Sequence, residues 1–212
     1  MSTVAPRSKP SARTKLLDAA LDVIRSKGYS GTSIDDLCAA AGVTKGAFFH
    51  HFDSKEALGV AAADHFSDMA DGVFAQAPYR AEADPLSRLK GYIAFRRLIL
   101  QGELPHFTCL LGTMVQEAYQ THDAIRQACD THISDHAAMV AEDIAAAKVE
   151  HAPQANWSPE SLGLFTQAVI QGAFILAKAK GGPEVADACL AHLDRYIDLL
   201  FTPALTGVSS HE

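Results

Sequence analysis

Within VTKGAFFHHFDSKEALGV, residues 43–60, one lysine, three phenylalanines and two histidines fall between Lys45 and Phe52. Side chains of these types suit a polyanion: ammonium, imidazole and hydroxyl groups donate to phosphate oxygens, and small residues allow close approach. Phe48 and Phe52 stand four apart and share a helical face, which suits packing against neighbouring helices. Lys45, Phe49 and His50 fall elsewhere on the same helix. With Thr44 as cap, the first turn is Lys45, Gly46 and Ala47, a cation and two side chains small enough to meet a duplex. Lys45 can donate to guanine or to phosphate. Thr32, Ser33 and Thr44 can cap helices and can also donate to phosphates. A short amphipathic helix packed into a bundle, with no ligand, would show the same spacing.

The elements around this stretch follow from periodicity and punctuation. Leu17, Ala20, Leu21 and Ile24 recur at helical spacing from about Ser11, and Gly28 supplies a stop, so a first helix ends near Lys27. Thr32 with Asp35, or Ser33 with Asp36, has the spacing of a reciprocal cap for a second helix running to about Ala40. The turn Ala41, Gly42 and Val43 then leads to the third helix, through about His51. Two short helices joined by a glycine-containing turn form a helix-turn-helix, whose second helix enters the major groove by its N-terminal residues. A longer helix follows to about Gln76. Prolines then mark further helices at roughly 85–101, 106–119, 122–149, 159–180 and 184–201. No sustained period-two pattern argues for strands, and the expected fold is all-α.

The chain has 212 residues and 48% hydrophobic content, enough for one large domain or two small ones. Its net charge is -7, but residues 1–55 hold eight Lys and Arg against five Asp, leaving ten basic and twenty acidic residues beyond. A basic module joined to an acidic body fits a head that meets a polyanion. Cys38, Cys109, Cys129 and Cys189 are too scattered for a disulfide framework or a paired metal motif. No run of 18 apolar residues suggests a spanning helix, and the N-terminus does not resemble a secretory signal, so a cytoplasmic protein without membrane partners is expected. The expected organisation is a mobile basic arm at 1–10, a helix-turn-helix head at 11–55, a helical body at 56–205 and a flexible tail at 206–212.

TSIDDLCAAAGVTKGAFFHHFDSKEAL resembles the DNA-binding segment of the TetR family of bacterial transcriptional regulators, and RTKLLDAALDVIRSKGYSGTS before it resembles that family's first helix. Caps, turn glycine, aromatic positions and the lysine after the third helix are all in register over residues 13–60. The resemblance implies a homodimer with two reading heads on a helical body that binds a small-molecule effector and releases an operator in double-stranded DNA. Carried over by position, Ser33, Thr44, Lys45, Gly46, Phe49, His50, His51 and Lys55 match DNA-contacting positions. Phe49 departs from the pattern, which commonly has tyrosine there; the ring is kept and a phosphate-bonding hydroxyl is lost, which puts anchoring at this position in question and makes His50 and His51 the alternative candidates for it.

The body is read from composition and from the same resemblance. Segment 162–180 is apolar over most of its circumference, and segment 184–200 carries an apolar stripe including Leu190, Leu193 and Ile197. The resemblance implies that the last two long helices form a four-helix bundle with their copies in a homodimer, with Ala168 and Gly172 small enough for close approach. Tyr92, Phe95 and Arg96, together with Cys109, Met114 and Glu117, supply the mixture of apolar and polar groups that an effector pocket needs. Cys109 lies in a CLLG sequence resembling regulators whose cysteine responds to electrophiles or oxidants. His132 and His136 are four apart on one helical face, but too few further ligands (His65 and Asp135 among them) accompany them, so a solvated face is expected and neither metal nor cofactor.

Two other functions fit parts of the sequence. A helical-bundle enzyme would use histidines and carboxylates, yet HExxH, GxSxG and a phosphate-cradling glycine loop are missing. A ligand-binding protein that keeps the head without DNA activity would account for Phe49.

Overall fold

The helix starts that local sequence offers are used. In the computed structural model, which describes residues 10–202, the side chain of Ser11 accepts from the backbone N–H of Thr14 at 3.1 Å and opens α1 (Ala12–Lys27). Ser33 and Asp36 form the reciprocal cap of α2 (Ile34–Ala41): the Ser33 hydroxyl accepts from Asp36 N–H at 3.1 Å and the Asp36 carboxylate accepts from Ser33 N–H at 2.9 Å. Thr44 caps α3 (Lys45–His51) by accepting from Ala47 N–H at 3.1 Å. Gly42, at φ 63, takes the left-handed conformation that the turn between α2 and α3 demands.

Beyond lie α4 (Lys55–Ala75), a 3-10 turn (Pro78–Ala81), α5 (Pro85–Leu98), α6 (Leu104–Phe107), α7 (Leu110–Ala118), α8 (Asp123–His151), α9 (Pro159–Lys180) and α10 (Glu184–Phe201). No strand occurs among the described residues, as the missing period-two pattern predicts. The single helix expected over 106–119 is two: the chain opens at Thr108, and Cys109 caps α7. The basic arm expected at residues 1–10 lies outside the described residues except for Pro10, and the tail at 206–212 lies wholly outside them.

Packing divides the chain into two units, and not at the boundary expected near residue 55. The first runs to Val73 and resumes over Glu103–His132; the second holds Phe74–Gly102 and the chain from Ile133. In the first, α1 packs on α2, α3, α6 and α7. Leu16, Ile24, Leu37, Phe48 and Leu58 are fully buried there, and each such side chain contributes about 1.5–3 kcal/mol over an exposed one.

In the second unit α10 lies against α9 and α5. A bidentate ion pair, Arg97 to Asp187 at 2.7 and 3.0 Å, joins α5 to α10, and Lys90 pairs with Asp198 across the same helices. Gly163 allows α9 to approach α8 closely, since a Cβ there would stand 2.6 Å from the carbonyl oxygen of Ala137. Leu190, Leu193 and Ile197 are 1%, 2% and 0% exposed. They fill this unit's own core, which corrects their assignment to a dimer face. On α9 and α10 the large apolar residues left outside are Leu164, Phe165, Ile175 and Leu176, with Tyr196 and Leu199. Ala168 lies exposed in this set, and space is open where a Cβ on Gly172 would stand. α9 is long and apolar enough to cross a membrane, with mean hydropathy 1.4, and it divides that apolarity between the core and this outer face.

Candidate nucleic-acid interface and effector site

The start of α3 is an outward-facing cationic turn. Thr44, Lys45 and Gly46 are all exposed, and the Thr44 hydroxyl oxygen is used by the cap while its proton stays available to an acceptor. Lys45 reaches back 2.8 Å to Asp35 on α2, and both side chains are mostly solvated. Hydrogen bonding to Asp35 raises the Lys45 ammonium above the usual lysine range, so it is cationic at every relevant pH. Such an exposed pair contributes little stability and yields readily to a competing phosphate. Phe48 is wholly buried, whereas Phe49 is 54% exposed with its ring edge-on to Phe48 at 5.2 Å. His50 and His51 follow with their rings 4.8 Å apart, His50 exposed and His51 partly so. The outward and inward sets therefore separate as spacing predicts.

Ser33 is exposed at the start of α2, its hydroxyl hydrogen-bonded to Asp36 at 2.7 Å. The Asp36 carboxyl is held well below the usual carboxylate range, first by Lys27 on α1 and then by Ser33. Thr32 is buried and its hydroxyl donates to the Gly28 carbonyl at 2.6 Å, so it is not available to phosphate.

Lys55, the last of the DNA-contact candidates, has partners inside its own unit. Its ammonium donates to the carbonyls of Tyr29 and Thr32, both at 3.0 Å, and stands 4.3 Å above the Tyr29 ring. The α1–α2 connection thus wraps around this amine, which is engaged within the unit. Tyr29 itself is buried, and burial followed by the nearby Glu56 pushes its phenol up to about 12.

The six effector candidates are divided between the two units. Cys109, Met114 and Glu117 belong to the first unit. Met114 is fully buried core, and the Glu117 carboxylate accepts from the backbone N–H of Ser30 at 2.7 Å, which ties α7 to the α1–α2 connection. Arg25 adds a second tie, from Nη1 to the Thr108 carbonyl at 3.4 Å. Glu117 is thereby corrected from pocket lining to a latch on the head. Cys109 is partly exposed, and its Sγ accepts from Gly112 N–H at 3.5 Å. Sequence reasoning missed this latch because its partners lie 87 residues apart.

Tyr92, Phe95 and Arg96 do come together, in the second unit, with Phe74, Tyr79 and His136. Arg96 Nε donates to the Tyr92 hydroxyl at 3.0 Å and its Nη2 lies 2.9 Å from His136 Nε2. A guanidinium can only donate, so Nε2 is the acceptor and the imidazole is neutral, with its proton on Nδ1. Burial, followed by Arg96 and Arg80, pushes the His136 imidazole down to about 3. His136 is therefore a half-buried acceptor and not part of a solvated face; His132, in the first unit, instead meets Asp64 at 2.8 Å. Among the described residues, Asp84, Glu150 and His151 are near enough to one another to hold a cation, but all three have substantial solvent contact.

Comparison with known proteins agrees with this arrangement. Residues 16–62 match the model for bacterial regulatory proteins of the tetR family, and residues 85–192 match the LmrA/YxaF-like transcriptional regulator C-terminal domain. The chain is 32% identical over 114 residues to the HTH-type transcriptional repressor DhaR of Mycobacterium sp. strain GP1, covering 54% of this chain and 56% of that protein. It is 32% identical over 129 residues to the transcriptional regulator AcuR of Cereibacter sphaeroides, covering 58% of each. The chain thus spans just over half the length of these relatives. A cysteine mutant of the TetR-family regulator CifR, solved with 26-base-pair operator DNA, shares the fold at a TM-score of 0.74 and 19% identity, over 90% of this chain and 98% of that one. With a basic helix-turn-helix built on its own caps and both halves of the chain matched, the protein belongs to the TetR family of bacterial transcriptional regulators.

Proposed function

We propose that the protein is a cytoplasmic repressor that binds a palindromic operator as a homodimer and lets go when a small molecule occupies its second unit. The observation carrying this reading is the exposed first turn of α3, where Thr44, Lys45 and Gly46 have no interior role beyond the α3 cap and one solvated ion pair. Ser33, Phe49, His50 and His51 flank it as further backbone or base contacts. Repression is favoured by the similarity to DhaR, a repressor. The apolar outer face of α9 and α10, with Ala168 and Gly172 in its middle, supports self-association, because large contiguous apolar surface is uncommon on monomers.

The small molecule would bind at the Tyr92, Phe95 and Arg96 cluster. α4 is the covalent path from there to the head, a single helix from Lys55 through Phe74. A tilt of α4 would change the separation of two recognition helices that a palindrome fixes near a helical turn or its multiple, so both half-sites are lost together. Cys109 offers a second input for electrophiles or oxidants, and unchanged release by quinones in Cys109→Ser would remove it.

The direct test is gel retardation of a labelled palindromic fragment from the DNA beside the protein's own gene. Nanomolar retardation that weakens steeply with salt is expected, and equal binding to unrelated DNA overturns the reading.

A further inference from the structure

Arg96 is a cation without an anion. Its guanidinium uses Nε on the Tyr92 hydroxyl at 3.0 Å and Nη2 on the neutral His136 at 2.9 Å, and its Cζ lies 4.4 Å from the Phe74 ring centroid and 5.4 Å from that of Tyr92. Among the described residues no carboxylate lies within salt-bridge distance of it. In the same unit Asp143 is shared by Arg80 at 3.3 Å and Arg88 at 2.9 Å. Each of the other arginines with a partly buried or interhelical role has a carboxylate: Arg25 has Asp22, and Arg97 has Asp187. A guanidinium carries five N–H donors, so three remain for another acceptor.

A second donor waits in the same group of rings. The hydroxyl of Tyr79 is buried with no hydrogen-bond partner among the described residues, and its ring packs 6.0 Å from Tyr92 and 5.9 Å from Phe95. A buried orphaned hydroxyl is costly, and its standing in one group of rings with a partly buried arginine that has no carboxylate suits a ligand that engages both. A planar carboxylate matches a guanidinium fork, and aromatic faces suit a flat apolar body behind it. A dianion would require a second free cation, and Arg80 and Arg88 already share Asp143.

We propose that Arg96 anchors a carboxylate and that the molecule received by this cluster is a small monocarboxylate with a flat, unsaturated or aromatic body. This rests on the effector reading above and narrows its chemistry. Tyr92 and His136 act as positioning residues, holding the guanidinium by its Nε and one Nη2 hydrogen so that its remaining donors face the ligand.

The test is calorimetric titration of the full-length protein with benzoate and cinnamate against their neutral amides, benzamide and cinnamamide. The acids are expected to bind about tenfold or more tightly than the amides, the difference that a charged hydrogen-bonded pair makes. Arg96→Met should erase that preference while circular dichroism and operator retardation persist, and Arg96→Lys should restore part of it by keeping the charge without the fork. Equal binding of acids and amides by the unaltered protein overturns the proposal, as does a preference that survives Arg96→Met or the failure of both acids to bind. The first comparison needs no variant and is independent of folding. Retardation run in parallel separates the two readings: an acid that binds without releasing the operator supports the Arg96 site and defeats the effector reading. Release by amides alone preserves the effector reading and defeats the Arg96 site.

Discussion

Replacing Lys55 by methionine distinguishes an amine that holds the head together from one that holds DNA. The change keeps most of the aliphatic stem and removes two charged hydrogen bonds, to the carbonyls of Tyr29 and Thr32 at 3.0 Å each, and an ammonium 4.3 Å above the Tyr29 ring. Charged hydrogen bonds contribute about 1.5–3 kcal/mol when buried; discounted to about 1 kcal/mol each for a partly exposed side chain, and with about 0.5–1 kcal/mol for the cation over the ring, the expected loss is roughly 2–3 kcal/mol. The only tryptophan, Trp157, lies in the second unit, so its fluorescence reports that unit while circular dichroism reports the whole helical content. In urea titrations, the dichroism transition of Lys55→Met should begin at lower denaturant than the fluorescence transition. The salt dependence of operator binding, measured below the onset of unfolding, should keep its slope. Stability unchanged within about 0.5 kcal/mol together with a logarithmic salt slope reduced by about 0.9, one phosphate contact, would refute the internal role.

Lys45→Ala should weaken operator binding across all sequences and reduce the same salt slope by about 0.9, with no change in urea midpoint, since its partner among the described residues is a solvated carboxylate. Phe49→Tyr restores a hydroxyl on a ring that is 54% exposed, and operator affinity should rise a few-fold in a titrated retardation assay if the DNA backbone passes there. Ile175→Asp places a charge on the outer face of α9 and should yield a folded monomer by analytical ultracentrifugation, whereas Leu193→Ala, at 2% exposure, should cost about 2–4 kcal/mol in chemical denaturation. His136 has a folded-state pKa near 3, below its unfolded value of about 6.5, so the unfolded chain binds the extra proton between them. Its contribution is complete above about pH 6.5 and falls as pH drops toward 3; His136→Gln, which retains an acceptor for Arg96, should flatten that acid limb in pH-dependent unfolding.

What the sequence makes legible is local. Caps, the αL glycine and first-turn prolines act over three or four residues, and so the starts of α1, α2, α3, α5 and α9 and the alternatives at Thr32 and Ser33 are decided by nearest neighbours. The separation of Phe48 from Phe49 follows from helical period alone. Facing was not readable where apolar residues surround a helix. α9 and α10 offer more apolar residues than one core can take, and only the fold divides Leu193 and Ile197, inside, from Leu199, 73% exposed. Lys55 illustrates a chemical ambiguity, because an ammonium suits a ring of carbonyls as well as a phosphate. His132 and His136 share a face by period but not an environment, since α8 passes from one unit to the other between them. Glu117 depended on a partner beyond any local window.

The latch from Glu117 to Ser30 bears on how such proteins can be recombined. A head exchanged between family members by a crossover after residue 62, where the DNA-binding match ends, would travel without Glu117, Thr108 or the α6–α7 segment on which α1 rests. The recipient would have to supply its own acceptor for the Ser30 amide and its own carbonyl for Arg25. The inheritable unit is therefore discontinuous: residues 10–73 move faithfully only in the company of Glu103–His132. Chimaeras designed as two pieces with one junction should misjoin the head, and those that carry the second segment along should keep it.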